Sequence, residues 1–195
     1  MKKLKSSITN MALVLTVISV IAGGSLAAVN EITKDPIAKI NKKNLDDGIK
    51  KVLLGSTEGE LKVQAPWQAN ETTLIYATDK GTAVQASVNG FGGELRVLVG
   101  FDEAGTIKGY TILQSSETPG LGTKADTWFQ EGGKGCIIGK NPEECNLTVT
   151  KDGGDIDAIT ASTITSRAFL RAVQAAYDAY KGSDADTGAS VKKHD

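Results

Sequence analysis

The chain begins with a short stretch, residues 1–7, that carries Lys2, Lys3 and Lys5. It then runs from Ile8 to Asn30 without a charge, most densely apolar between Met11 and Ala22. Roughly 20 apolar residues suffice to cross a bilayer as a helix, and a basic flank stays cytoplasmic. The pattern predicts a single-pass anchor over 8–30 in a bacterial cytoplasmic (inner) membrane, with the bulk of the chain on the periplasmic or extracellular side. A cleaved signal peptide competes, because Ser25-Leu26-Ala27 has small-x-small form. The apolar run outlasts the roughly 7–15-residue core of such a peptide, which favours a retained anchor.

Beyond the anchor the period is helical. Asp35-Pro36 supplies an N-cap and a first-turn proline, and Ile37, Ile40, Leu45, Ile49, Val52 and Leu53 form an apolar stripe up to Gly55. This predicts an amphipathic helix within 31–55 that packs on the following domain. The polar stretch to Asn70 is indecisive, and then the period shortens. Thr72–Ala77, Ala83–Val88, Leu95–Phe101 and Thr106–Leu113 are rich in Val, Ile, Thr and Tyr and are joined by short Gly-containing links. Links this short connect antiparallel neighbours, because a parallel crossover needs many more residues. Leu147–Thr150 and Ile156–Ile159, around Asp152-Gly153-Gly154, suggest a last hairpin-like unit. From Ile164, the residues Ala168, Phe169, Ala172, Val173, Ala176 and Tyr180 recur at three- and four-residue steps, with Gly182 placed as a stop. The expected fold class is α+β: a transmembrane helix, then one domain over 56–182 with an antiparallel sheet flanked by helices. A polar tail, 183–195, is expected to be disordered.

Composition narrows the chemistry. The chain holds 22 basic and 23 acidic residues, and with the N-terminal lysines set apart the remainder is mildly acidic, with no basic cluster for nucleic acid. The one histidine, His194, lies near the C-terminus, which leaves no Ser-His-Asp constellation and, with two cysteines, no closed tetrahedral metal set. Cys136 and Cys145 can close a disulfide in an exported protein or stay as thiols; the sequence leaves both open. Trp128 and Phe129 read as core.

Two stretches carry chemical interest. Thr160, Ser162 and Thr163 stand where the last helix begins, so a phosphate on one of them would meet unpaired backbone N–H groups and the positive end of the helix dipole. Arg167, one turn in, could add a charge-assisted bond; equally, the hydroxyls could simply cap the helix. The second stretch is Glu117-Thr118-Pro119-Gly120-Leu121-Gly122. Pro-Gly suits a turn whose third position has positive φ, and Gly122 permits close backbone approach.

Asp157-Ala158-Ile159-Thr160-Ala161-Ser162-Thr163-Ile164-Thr165-Ser166 resembles the flavin-attachment motif Asp-x-x-(Ser/Thr)-Gly-Ala-Thr-x-(Ser/Thr)-Ser of covalent FMN-binding domains. These occur in the G subunit of the Rnf electron-transport complex and the C subunit of the sodium-translocating quinone reductase. Ala161 stands where the family has Gly and Ser162 where it has Ala; a Cβ at the Gly position disfavours positive φ. Glu-Thr-Pro-Gly-Leu-Gly matches a second hallmark, about forty residues earlier, and Gly90–Asp102 resembles the family's glycine-led sheet strand. By this resemblance Thr163 carries FMN as a phosphoester, one per chain. Thr160, Ala161, Ser162 and Ser166 would surround the attachment point, Thr118, Leu121 and Gly122 would border the ring, and Glu117 would be a further cofactor-binding residue.

The resemblance further implies a separate flavin transferase that uses FAD, and membrane and peripheral partner subunits. Together these would form a translocase coupling electron flow between ferredoxin and NAD to ion movement. The chain would be a subunit, not catalytic alone, since it has no Gly-x-Gly-x-x-Gly unit for NAD. Compactness favours the G subunit over the C subunit. An anchored module binding a phosphate-containing ligand without redox work is the alternative from another class.

Overall fold

The computed structural model describes residues 8–187; the basic N-terminus 1–7 and the tail residues 188–195 lie outside them. Contacts divide the chain into two units, one up to Lys43 and one from Asn44 onward. In the described part of the first there is only helix: α1 runs unbroken from Ile8 to Leu54 and ends inside the second unit. Among the described residues it is the one helix long and apolar enough to cross a membrane, with mean hydropathy 2.3 in its most apolar window.

The predicted division at Asp35-Pro36 does not occur, since Pro36 lies within α1. Proline removes one backbone hydrogen bond, to the carbonyl four residues earlier. Here that carbonyl belongs to exposed Ile32, where water can serve it. The predicted apolar stripe divides accordingly: Ile37 and Ile40 are exposed, whereas Ile49, Val52 and Leu53 are buried.

The second unit is built on a five-stranded antiparallel meander, β1 (Trp67–Asn70), β2 (Thr73–Thr78), β3 (Gly81–Asn89), β4 (Glu94–Phe101) and β5 (Ile107–Ser115), in spatial order β1-β2-β3-β4-β5. Alternation along the strands gives the sheet two apolar faces. Ile75, Val84, Val97 and Val99 point to one core, built with the long C-terminal helix α3 (Thr163–Thr187). Tyr76, Ala83 and Leu98 point to the other, closed by Ile49, Val52 and Leu53 from the end of α1. The four strands expected from sequence are present, whereas the short edge strand β1, with no buried residue, lacked the alternation that marks a strand.

All six apolar positions read for the last helix, Ala168, Phe169, Ala172, Val173, Ala176 and Tyr180, are buried. Phe169 stacks on Phe129 at 4.3 Å and meets Tyr110 edge-on at 4.7 Å, so Phe129 belongs to the core as read, with Trp128 packed at its margin. The helix does not stop at Gly182 but continues to Thr187, so the first part of the expected disordered tail is helical. The expected hairpin near residue 150 is instead a single parallel bridge, Val149 to Ile156, around a 3-10 turn over Thr150–Asp152. Cys136 and Cys145 are half-buried free thiols.

Tyr110 ties the segment after β5 to the sheet: its hydroxyl donates to the Ala125 carbonyl at 2.5 Å, and burial pushes its pKa well above the usual tyrosine value. Tyr110→Phe removes this buried hydrogen bond and is expected to cost about 0.5–1.5 kcal/mol, read as a lower urea midpoint. The unfolded chain ionises this tyrosine near pH 10 while the fold keeps it protonated. The wild type should therefore lose stability as pH rises above about 10, and the variant should lose less over the same range.

Candidate functional site

The segment between β5 and the one-turn helix α2 (Ala125–Trp128) folds back on itself. The N–H of Leu121 donates to the Thr118 carbonyl at 3.2 Å and that of Gly120 to Thr123 Oγ1 at 3.0 Å. Gly120 has φ +74°, the left-handed conformation expected of the residue after proline in this turn.

Glu117 opens the segment from below. Only 6% of its surface is exposed, and both carboxylate oxygens are used. The Phe91 N–H donates to Oε1 at 2.7 Å and the Thr165 hydroxyl to Oε2 at 2.8 Å. The Ser162 hydroxyl donates to Thr165 Oγ1 at 2.9 Å. One buried carboxylate thus joins the β3–β4 loop, the 117–122 loop and the start of α3. Gly122 is required by this packing: a Cβ there would stand 2.7 Å from Glu117 Cβ and 3.0 Å from Thr165 Oγ1.

Above the carboxylate lies a cleft of ≈ 400 Å³ lined by Phe91, Thr118, Leu121, Ala161, Ser162, Thr163, Ile164 and Thr165. The two stretches singled out in the sequence therefore meet in space. Of the predicted residues, Thr118, Leu121, Ala161, Ser162 and Thr163 line it. Glu117 and Gly122 support it from beneath, and buried Ser166 accepts the Ile159 N–H at 2.9 Å and donates to the Ser162 carbonyl at 3.0 Å. Thr160 is exposed and outside the lining.

Three lining residues were not foreseen. Phe91 is 66% exposed at the tip of the β3–β4 loop; its signal was an aromatic side chain alone among Asn89, Gly90, Gly92 and Gly93. Ile164, exposed on the first turn of α3, breaks the pattern of that helix's buried face. Thr165 was legible only as part of the motif.

Arg167 does not reach toward the cleft hydroxyls. Its guanidinium forks onto Asp152, with bonds of 2.6 and 2.7 Å, and holds that carboxyl below its ordinary range. The competing partner is the 3-10 turn that replaced the expected hairpin. The anion-binding capacity of the helix start therefore rests on backbone: the first-turn N–H groups have no intrahelical acceptors and carry the positive end of the dipole.

Ala161 is the single non-glycine residue with positive φ, +63°, among the described residues. This is the position at which the attachment motif has glycine, so the backbone keeps a glycine conformation around an alanine. Left-handed backbone costs a residue with a Cβ about 1–2 kcal/mol, and glycine returns part of that through its unfolded-state entropy. Ala161→Gly is expected to stabilise the chain by roughly 0.5–1 kcal/mol, seen as a higher urea midpoint at unchanged slope.

The FMN-binding domain family matches residues 90–178, a span that contains every lining residue of the cleft. The residues fit such a cofactor. The volume lies within the roughly 300–1,000 Å³ of small-molecule sites, the helix start offers N–H donors and hydroxyls for a phosphate, and exposed Phe91, Leu121 and Ile164 offer apolar surface for a planar ring.

Similarity over most of the chain points the same way. The chain is 31% identical over 187 residues to the G subunit of the ion-translocating oxidoreductase complex of Aliivibrio fischeri, covering 87% of this chain and 89% of the relative. It is 32% identical over 177 residues to the same subunit of Cronobacter sakazakii, covering 83% and 85%. It is 31% identical over 194 residues to the G subunit of the Na(+)-translocating ferredoxin:NAD(+) oxidoreductase complex of Acetobacterium woodii, covering 88% and 90%. An apolar N-terminal helix, an antiparallel sheet clasped by helices and a match to the FMN-binding domain are thus found in a chain that belongs to the family of G subunits of ion-translocating oxidoreductase complexes.

Proposed function

We propose that this chain is the membrane-anchored flavoprotein subunit of a ferredoxin- and NAD-linked ion-translocating complex, and that it carries electrons through one FMN esterified to Thr163. The observation that carries the reading is a difference among neighbouring hydroxyls. Of the three that the start of α3 presents to the cleft, Ser162 and Thr165 are committed to the chain ending on Glu117. Thr163, half-buried, makes no side-chain hydrogen bond among the described residues.

Thr163 does not react unaided, because its hydroxyl is un-ionised at neutral pH. A separate transferase using FAD is required. The Thr163 Oγ1–P bond forms, the pyrophosphate bond of FAD breaks, AMP leaves, and the hydroxyl proton passes to a base on the transferase. The resulting phosphodiester anion is stabilised by the N–H groups and dipole of α3. With the flavin bound, Phe91, Leu121 and Ile164 would exclude water from the ring, and Ala161 holds the turn that leads into Thr163.

FMN supplies the electron transfer when bound, and the protein supplies binding, orientation and tuning. The lysines of residues 1–7 keep the N-terminus cytoplasmic and place the domain on the opposite side of the membrane. There a dissociated cofactor would be lost and mass action could not refill the site, so a covalent tether is advantageous. The other subunits of the complex supply the NAD site and the ion path that one helix cannot provide.

Co-expression with a flavin transferase, followed by a denaturing gel viewed under ultraviolet light, tests the reading. A fluorescent band at the chain's position is expected only with the transferase. Its absence would favour a non-redox module that binds a phosphate-containing ligand.

A further inference from the structure

We infer that Glu117 is the positioning residue that decides which hydroxyl at the start of α3 is left to accept the flavin phosphoryl group. The inference rests on the attachment reading above and adds a reason for Thr163 over hydroxyls one and two positions away. Glu117 is a buried carboxylate with two donors, the Phe91 N–H and the Thr165 O–H, and the second is backed by the Ser162 O–H.

A buried carboxylate that loses a donor bears its desolvation uncompensated. Esterifying Thr165 would remove the proton it gives to Oε2 and set oxygen against oxygen. Esterifying Ser162 would remove the donor that fixes the Thr165 hydroxyl. Esterifying Thr163 breaks neither bond, because its hydroxyl takes no part in the chain. Both carboxylate oxygens are already engaged, and the backbone at Gly90 and Gly122 packs closely on the Glu117 side chain. The same bond to Phe91 fixes the backbone of the loop that forms the opposite cleft wall.

The full-length chain, co-expressed with a flavin transferase and recovered in membranes, should be compared with Glu117→Gln, Thr165→Val and Thr165→Ser. Tandem mass spectrometry locates the flavin, and thermal midpoint reports folding. Loss of a charge-assisted bond should change the partition between acceptors by about tenfold or more. The expected result is label on Thr163 alone in the wild type and in Thr165→Ser, which keeps the hydroxyl. Glu117→Gln should place a measurable share on Ser162 or Thr165, and Thr165→Val on Ser162. A structural role would slow labelling without moving it, so label on Thr163 alone in both Glu117→Gln and Thr165→Val overturns the inference at any rate. Should Glu117→Gln fail to fold, the near-isosteric Thr165→Val decides by the same criterion. An unlabelled wild type would sink the attachment reading itself, whereas a labelled wild type with variants labelled identically would sink only the role of Glu117.

Discussion

Thr163→Ala is expected to yield a chain that folds and inserts normally but carries no covalent flavin. The fluorescent band on a denaturing gel should disappear completely, because the ester oxygen is gone and the adjacent hydroxyls are tied to Glu117. Stability should change little. Thr163 is half-buried, its hydroxyl serves no partner among the described residues, and substitutions at such positions typically stay within about 0.5 kcal/mol. Thr163→Ser should retain the band. A residual band in Thr163→Ala, with an unchanged melting profile, would assign the acceptor to another hydroxyl.

Phe169→Ala should produce the opposite pattern, a large stability loss far from any reacting atom. The ring is fully buried, stacked on Phe129 and edge-on to Tyr110. It pins α3 to the sheet and to the segment that follows the 117–122 loop. Truncating a buried phenylalanine costs about 3–5 kcal/mol in transfer and cavity terms, equivalent to a melting-point drop on the order of 10 °C for a chain of this size. If Phe169→Ala melts within a degree or two of wild type, α3 does not depend on this aromatic cluster. Flavin attachment should fall with folding, since the helix start that presents Thr163 is positioned by the packing of the rest of the helix.

These two substitutions separate what sequence made legible from what it did not. The sheet could be read because Gly-containing links punctuate runs of Val, Ile and Thr, and α3 because its apolar residues keep a 3.6-residue period. Local signals failed where tertiary context overrode them. Pro36 looks like a helix start but costs only one hydrogen bond at an exposed turn, so α1 continues through it. Gly182 looks like a stop, yet it lies within α3, which runs on to Thr187. β1 carries no apolar alternation because all four of its residues are exposed.

The site followed the same rule. Both motifs were visible, and the cleft brings them together. What the sequence could not reveal was the partner of each polar group. Arg167 looked free to meet a phosphate until Asp152 took it. Glu117 was expected among the cofactor-binding residues, and it is a buried strut beneath the cleft. Phe91, some seventy residues before Thr163, has no local pattern linking it to the helix start; the Glu117 carboxylate makes that link.

Peptide mapping of the chain purified from native membranes locates the flavin without any substitution. Cleavage after Lys151 and Arg167 isolates residues 152–167, which contain Thr160, Ser162, Thr163, Thr165 and Ser166 together. This peptide should be heavier by one FMN phosphoryl group, with fragmentation localising the added mass to Thr163. An unmodified peptide from a complex that still transfers electrons would contradict it.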